Sequence, residues 1–192
     1  MMKLLPILIP LLLNSCSEPK PPVTEIPRYQ TLHREGLNGT FFHFDYEGKL
    51  YLACSIHQGG NATGTELSRN DSPDTATVAK QIHHQKDLRV LSFKSDTIGR
   101  ADALPYSSNP EVRKGDEVAI LNRGQIIRGT VVKMPEGNDH HYYLQTTKTF
   151  PANGMSGSPV FSKRLGTVVG VLQTANSKTA ANVGGFEILQ MP

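Results

Sequence analysis

Residues Gly39–His57 read GTFFHFDYEGKLYLACSIH. Two apolar runs, one starting at Thr40 and one at Leu50, flank the short segment Tyr46–Gly48. Aromatic and β-branched residues on either side of a glycine-containing turn specify a β-hairpin. Alternation along the first run sends Phe41, Phe42, Phe44 and Tyr46 to opposite faces, so the expectation is one face in the core and one at the surface.

The same grammar recurs downstream. Asp87–Phe93 (DLRVLSF), Asp116–Leu121 (DEVAIL), Ile126–Met134 (IIRGTVVKM), His141–Thr147 (HYYLQTT), Ser158–Ser162 (SPVFS), Thr167–Thr174 (TVVGVLQT) and Gly185–Leu189 (GFEIL) are short, β-branched and bounded by turn-forming residues. Only Thr75–His84 invites a helical turn or two, and no long amphipathic helix with caps is present. No internal repeat stands out. Many short strands without crossover helices mean an all-β, antiparallel barrel or sandwich.

A chain of 192 residues supports one domain with a sizeable core. Its 20 basic and 17 acidic residues, a formal net charge of +3, form no basic block, so no nucleic-acid partner is expected.

The first residues, MMKLLPILIPLLLNSCSEPK, lie outside the fold. Lys3 supplies a positive start, Leu4–Leu13 is an apolar stretch too short to span a bilayer, and small residues precede Cys16, which together read as an export signal. The segment LNSC (Leu13–Cys16) resembles the lipobox of bacterial lipoproteins, in which the cysteine carries the lipids. That resemblance implies residues 1–15 as signal peptide, Cys16 as the lipidated residue and a lipid anchor to a bacterial membrane; otherwise the protein is periplasmic or secreted. Residues 16–35 then form a proline-rich tether, with four prolines between 17 and 30, and the folded domain runs from 36 to 192. With Cys16 lipidated, Cys54 has no partner and reads as a small buried hydrophobe.

Near the C-terminal end, Asn153–Phe161 read NGMSGSPVF. Acyl transfer by serine needs a base in hydrogen-bond reach, a carboxylate to hold that base, and backbone N–H donors aimed at the developing oxyanion. Glycines on both sides of Ser156 allow such a turn, in which the Gly154 and Ser156 amides face one hollow, but a plain bend between strands has the same composition. No histidine follows Ser156, which excludes the serine elbow of the α/β-hydrolases. A partner must lie upstream, and of the seven histidines His57 stands out at the end of YLACSIH, where small residues leave room beside an imidazole. The adjacent pairs His83-His84 and His140-His141 point to opposite strand faces, so no metal site and no cofactor are expected.

These stretches together resemble the chymotrypsin-like (trypsin-like) serine peptidases, in particular the disulfide-poor bacterial branch that includes the HtrA-type enzymes. YLACSIH is similar to the strand leading to the catalytic histidine, DLRVLSF to the strand entered by the catalytic aspartate, and GMSGSPVF with GTVVGVLQT to the serine loop and the strand beside the substrate. Asp87 lies 30 residues beyond His57, and Ser156 69 beyond Asp87. The resemblance implies two six-stranded antiparallel β-barrels with a cleft between them. It implies a serine endopeptidase acting on polypeptides through an acyl-enzyme, with Ser156 as nucleophile, His57 as base, Asp87 as its orienting carboxylate, and Gly154 and Ser156 amides as oxyanion hole. By the same resemblance Phe150, Asn153, Gln173, Thr174 and Ala175 line the substrate pocket, and since none is acidic a small or apolar P1 residue is expected, not Lys or Arg. Met155 stands where the zymogens of this family carry an aspartate, so no zymogen switch is expected. Ser158 replaces a glycine of the family's serine loop and adds a side chain beside the oxyanion turn. Two alternatives stay open: a binding or scaffold module on the same fold, and a subtilisin-type order using Asp45, His57 and Ser156. The oligomeric state is not legible.

Overall fold

The structure, a computed structural model, describes residues 25–36, 39–59, 63–70 and 72–191. The expected signal segment and Cys16 lie outside the described residues.

Six strands close a first antiparallel barrel: β1 (Leu32–His33), β2 (Thr40–Tyr46), β3 (Lys49–Ser55), β4 (Glu66–Ser68), β5 (Thr75–Gln85) and β6 (Leu88–Lys94). They run in the order β1-β4-β5-β6-β3-β2, and pairing of β1 with β2 completes the ring. A two-residue strand, β7 (Leu104–Pro105), adds to β2 in parallel. The second barrel holds β8 (Glu117–Asn122), β9 (Gln125–Lys133), β10 (Tyr142–Phe150), β11 (Pro159–Ser162), β12 (Thr167–Ala175) and β13 (Ala181–Ile188). Its closed order is β10-β13-β12-β11-β8-β9.

The hairpin at Gly39–His57 forms as its residues require. Its turn places Glu47 (φ 49°) and Gly48 (φ 76°) both at positive φ, the geometry whose twist matches the flanking strands. The amide of Gly48 donates to Asp45 Oδ1 at 3.0 Å. Registers from Phe41↔Cys54 to Tyr46↔Lys49 follow without a slip.

Alternation along β2 sorts side chains differently from the expectation. Phe41 enters the interior of the first barrel with Leu52, Leu67, Val78 and Leu91. Phe42 and Phe44 emerge on the other side, yet both are fully buried because the second barrel, through Ala119, Leu121, Phe161 and Val171, covers that face. The second barrel does likewise: Val118 and Ile120 point into its own core, and Ala119 and Leu121 into the shared one. Strands buried on both faces explain the near-continuous apolar runs in the sequence.

Two sequence expectations need correction. Thr75–Gln85 is an eleven-residue strand, not a helical turn, paired along β6 with register shifts near Val78 and Gln81. The folded domain also begins before residue 36, because Ile26, Tyr29 and Leu32 are buried and β1 closes the first barrel. The proline-rich composition masked anchoring residues spaced too sparsely to give a periodic signal.

Candidate active site

His57 sits just past the end of β3, in a single helical turn, α1 (Ile56–Gly59), and not within the strand. Asp87 lies in the turn between β5 and β6, where Lys86 adopts positive φ (47°). The antiparallel pairing Ser55↔Leu88 brings these two connections side by side. The backbone locks them there: the Ile56 amide donates to the Asp87 carbonyl at 2.7 Å, and the His57 amide to Asp87 Oδ1 at 3.0 Å. His57 Nδ1 meets Asp87 Oδ2 in a direct contact. Ser55, fully buried, adds its hydroxyl, which donates to Asp87 Oδ2 at 3.3 Å and lies 2.6 Å from His57 Nδ1. The imidazole is thus held at one nitrogen and 41% of its side chain stays exposed.

Asp45 plays no part in this arrangement. It pairs with Arg100 Nε at 2.5 Å at the hairpin turn, so the Asp45–His57–Ser156 alternative has no geometric support.

Ser156 rides on the connection from β10 to β11. Gly154 (φ 80°) and Gly157 (φ 91°) both need left-handed backbone. A Cβ at Gly157 would stand 2.0 Å from the Thr40 carbonyl, so only glycine lets this loop approach the first barrel so closely. Thr40 then staples it, its amide donating to the Ser156 carbonyl at 3.1 Å and its hydroxyl to the Gly154 carbonyl at 2.7 Å. The amides of Met155, Gly157 and Ser158 donate to Ala152, Leu172 and Met155 carbonyls. Among the described residues, the Gly154 and Ser156 amides have no such backbone acceptor. Met155 itself packs into the core of the second barrel.

Gln173 joins the two halves of the site. Its carbonyl accepts the Ser156 hydroxyl at 3.3 Å, and its side-chain amide donates to the Asp87 carbonyl at 3.3 Å. The serine hydroxyl therefore rests on Gln173 in this structure, and no His57–Ser156 hydrogen bond is formed among the described residues.

Ser158 does not crowd the loop's hollow. It is fully buried, and its hydroxyl accepts from Asn122 Nδ2 at 2.7 Å, while the same amide reaches Thr40 Oγ1 at 3.1 Å. The glycine replacement feeds a buried polar network between the barrels. Ser55, Thr40, Asn122 and this role of Gln173 escaped the sequence reading, because a buried serine or asparagine carries no pattern until its partner strand is known.

Beside Ser156 opens a cleft of about 630 Å³. Asn153, Gln173, Thr174 and Ala175 line it. Phe150 does not: it is 2% exposed and packs in the core of the second barrel. As the last residue of β10, it is turned inward by the strand's alternation, with Leu144 and Thr146. Cys54 is buried in the first barrel, where desolvation pushes its thiol up to about 12, so it is packing and not chemistry.

Residues 49–171 match the family model of the trypsin-like peptidase domain. The chain belongs to that family. Among solved structures, the trypsin-like fold is shared with an inactive serine mutant of Rv3671c from M. tuberculosis H37Rv, at TM-score 0.57 and 16% identity over 82% of this chain and 79% of that one. The HtrA-type protease AlgW, solved with a tripeptide, aligns at TM-score 0.59 and 16% identity, over 84% of this chain and 56% of its own. A human pathogenic astrovirus serine protease aligns at TM-score 0.55 and 23% identity, over 79% of this chain and 83% of its own. At these identities the likeness speaks for the fold alone. No curated protein sequence matches the chain.

Proposed function

We propose that this trypsin-like domain is a serine endopeptidase using Ser156, His57 and Asp87. The observation that carries the reading is the fixed His57–Asp87 pair, tied through Gln173 to the loop that bears Ser156. Asp87 holds Nδ1 and so leaves the other imidazole nitrogen to act as base. Rotation about the Cα–Cβ bond of Ser156 takes its hydroxyl from the Gln173 carbonyl to that nitrogen; resting enzymes commonly show such loose geometry. Ser156 Oγ then attacks the scissile carbonyl as its proton passes to His57. The Gly154 and Ser156 amides receive the oxyanion, the C–N bond breaks, and His57 protonates the departing amine. Water, deprotonated by His57, releases the acyl group and regenerates the serine. A polypeptide substrate accords with a neighbour of this fold that holds a tripeptide.

Labelling with a fluorophosphonate probe tests the assignment. The wild type is expected to label, Ser156→Ala to lose labelling outright, and His57→Ala or Asp87→Asn to slow it by about 10⁴-fold or more, the loss typical when one member of such a triad is removed. Absence of Ser156-dependent labelling would leave a peptide-binding module on a peptidase fold.

The sequence around Cys16 further supports export and lipid anchoring of this domain, since several acyl chains together hold a protein stably to a membrane. Cys16→Ala is expected to move the protein from the membrane to the soluble fraction; retention at the membrane would rule the anchor out.

A further inference from the structure

Resting on the peptidase assignment, we infer that the cleft beside Ser156 selects substrates with an acidic residue at P1, and that Lys178 is the residue that does so. The cleft is also lined by Lys178, from the connection between β12 and β13. No acidic side chain lines the cleft, and Lys178 is its one charged residue among the described residues. Nor does any carboxylate among the described residues pair with Lys178.

The backbone that carries Lys178 is braced. Asn176 Oδ1 accepts the amides of Asn182 and Val183, each at 3.1 Å, and Asn176 Nδ2 donates to Asn182 Oδ1 at 2.8 Å. Next to it, the Ser177 hydroxyl accepts the Thr179 and Ala180 amides at 3.3 and 3.4 Å. Two side chains therefore fold residues 176–182 into a fixed loop, with Lys178 at its tip between the clamps. Neighbouring Ser177 and Thr179 give the same wall a polar character.

An ammonium group without a carboxylate, on the wall of a cleft that begins at the nucleophile, attracts an anionic side chain and repels a cationic one. This replaces the small or apolar P1 expected from residues 150–153 and 173–175 alone, because the deciding charge sits on a loop beyond them. Under this inference P1 Lys and Arg are disfavoured by repulsion from Lys178.

The test compares peptides identical except for Glu, Gln, Ala or Lys at P1, in wild type, Lys178→Met, Lys178→Arg and Lys178→Glu. Glu and Gln differ in charge at nearly constant shape. The wild type is expected to favour Glu over Gln by roughly 2- to 5-fold in kcat/KM, as befits one solvent-accessible charge pair, and to favour it less as salt rises. Lys178→Met should level Glu and Gln, Lys178→Arg should keep the preference, and Lys178→Glu should turn it toward Lys. Equal cleavage of Glu and Gln by the wild type, or a Glu preference that survives in Lys178→Met, overturns the inference. Ser156→Ala separates this from failure of the peptidase reading: product peptides ending in Glu or Gln are titrated onto it by fluorescence anisotropy. A Glu preference lost in Ser156→Ala/Lys178→Met supports the charge selection even where no turnover occurs; equal binding of the two peptides refutes it.

Discussion

Glu187 is 2% exposed, on β13 opposite Val171. Lys86, Asp87 and Gln85 approach it from the β5–β6 turn, and His140 Nε2 stands 3.9 Å from its carboxylate. Burial pushes its carboxyl up to about 7 from an ordinary 4.5. A carboxyl raised on folding contributes stability that is complete below its unfolded value and disappears as pH climbs through the folded one. Glu187 therefore weakens the fold between about pH 4.5 and about pH 7 as it ionises. His33 and His43 act from the other side: desolvation lowers both from 6.5 to about 4, so what they contribute is present above pH 6.5 and lost as pH falls through 4. From pH 5 to about 6.5 the two histidines together outweigh Glu187, so urea midpoints should rise for the wild type and rise more steeply for Glu187→Gln, while the fall expected between about pH 6.5 and 7 should be lost in Glu187→Gln. An identical slope in Glu187→Gln would mean that another group carries it.

Elements differ in how plainly the sequence announces them. The β2–β3 and β8–β9 hairpins declare themselves because each pairs dense apolar runs with a glycine-bearing turn, Glu47–Gly48 and Arg123–Gly124. β5 does not, and its partners show why. β4 spans three residues, so most of β5 is paired on one side only, and beyond Val78 its side chains are largely exposed. Alternation fades where no buried face enforces it. β1, of two residues, is below the length at which period two can be read at all. The candidate site divides in the same way. His57, Asp87 and Ser156 stand out by residue type and order, whereas Ser55, Thr40 and Gln173 act through contacts between strands distant in the chain. Lys178 lies in a polar loop, where composition alone assigns no direction to a side chain.

The molecule as a whole is two barrels joined by a third apolar core. Phe42, Phe44, Phe161 and Val171 occupy that seam, and each is fully buried. Truncating one is a large-to-small change in a sealed interior. Phe42→Ala is expected to cost about 3–5 kcal/mol. Because the seam belongs to both barrels, the loss should shift one cooperative transition, and Ser156 labelling in urea should vanish at the same midpoint as the far-ultraviolet signal. Two separated transitions would show barrels that unfold independently.

The staple from Thr40 to the serine loop reaches across that seam. A residue of the first half of the chain fixes the backbone on which Ser156, the proposed nucleophile, is displayed in the second half. On the proposed assignment, a partly folded chain thus holds an unarmed serine during synthesis, and the power to cut arrives only with completion of the whole molecule. For a peptidase, that timing protects both its neighbours and itself.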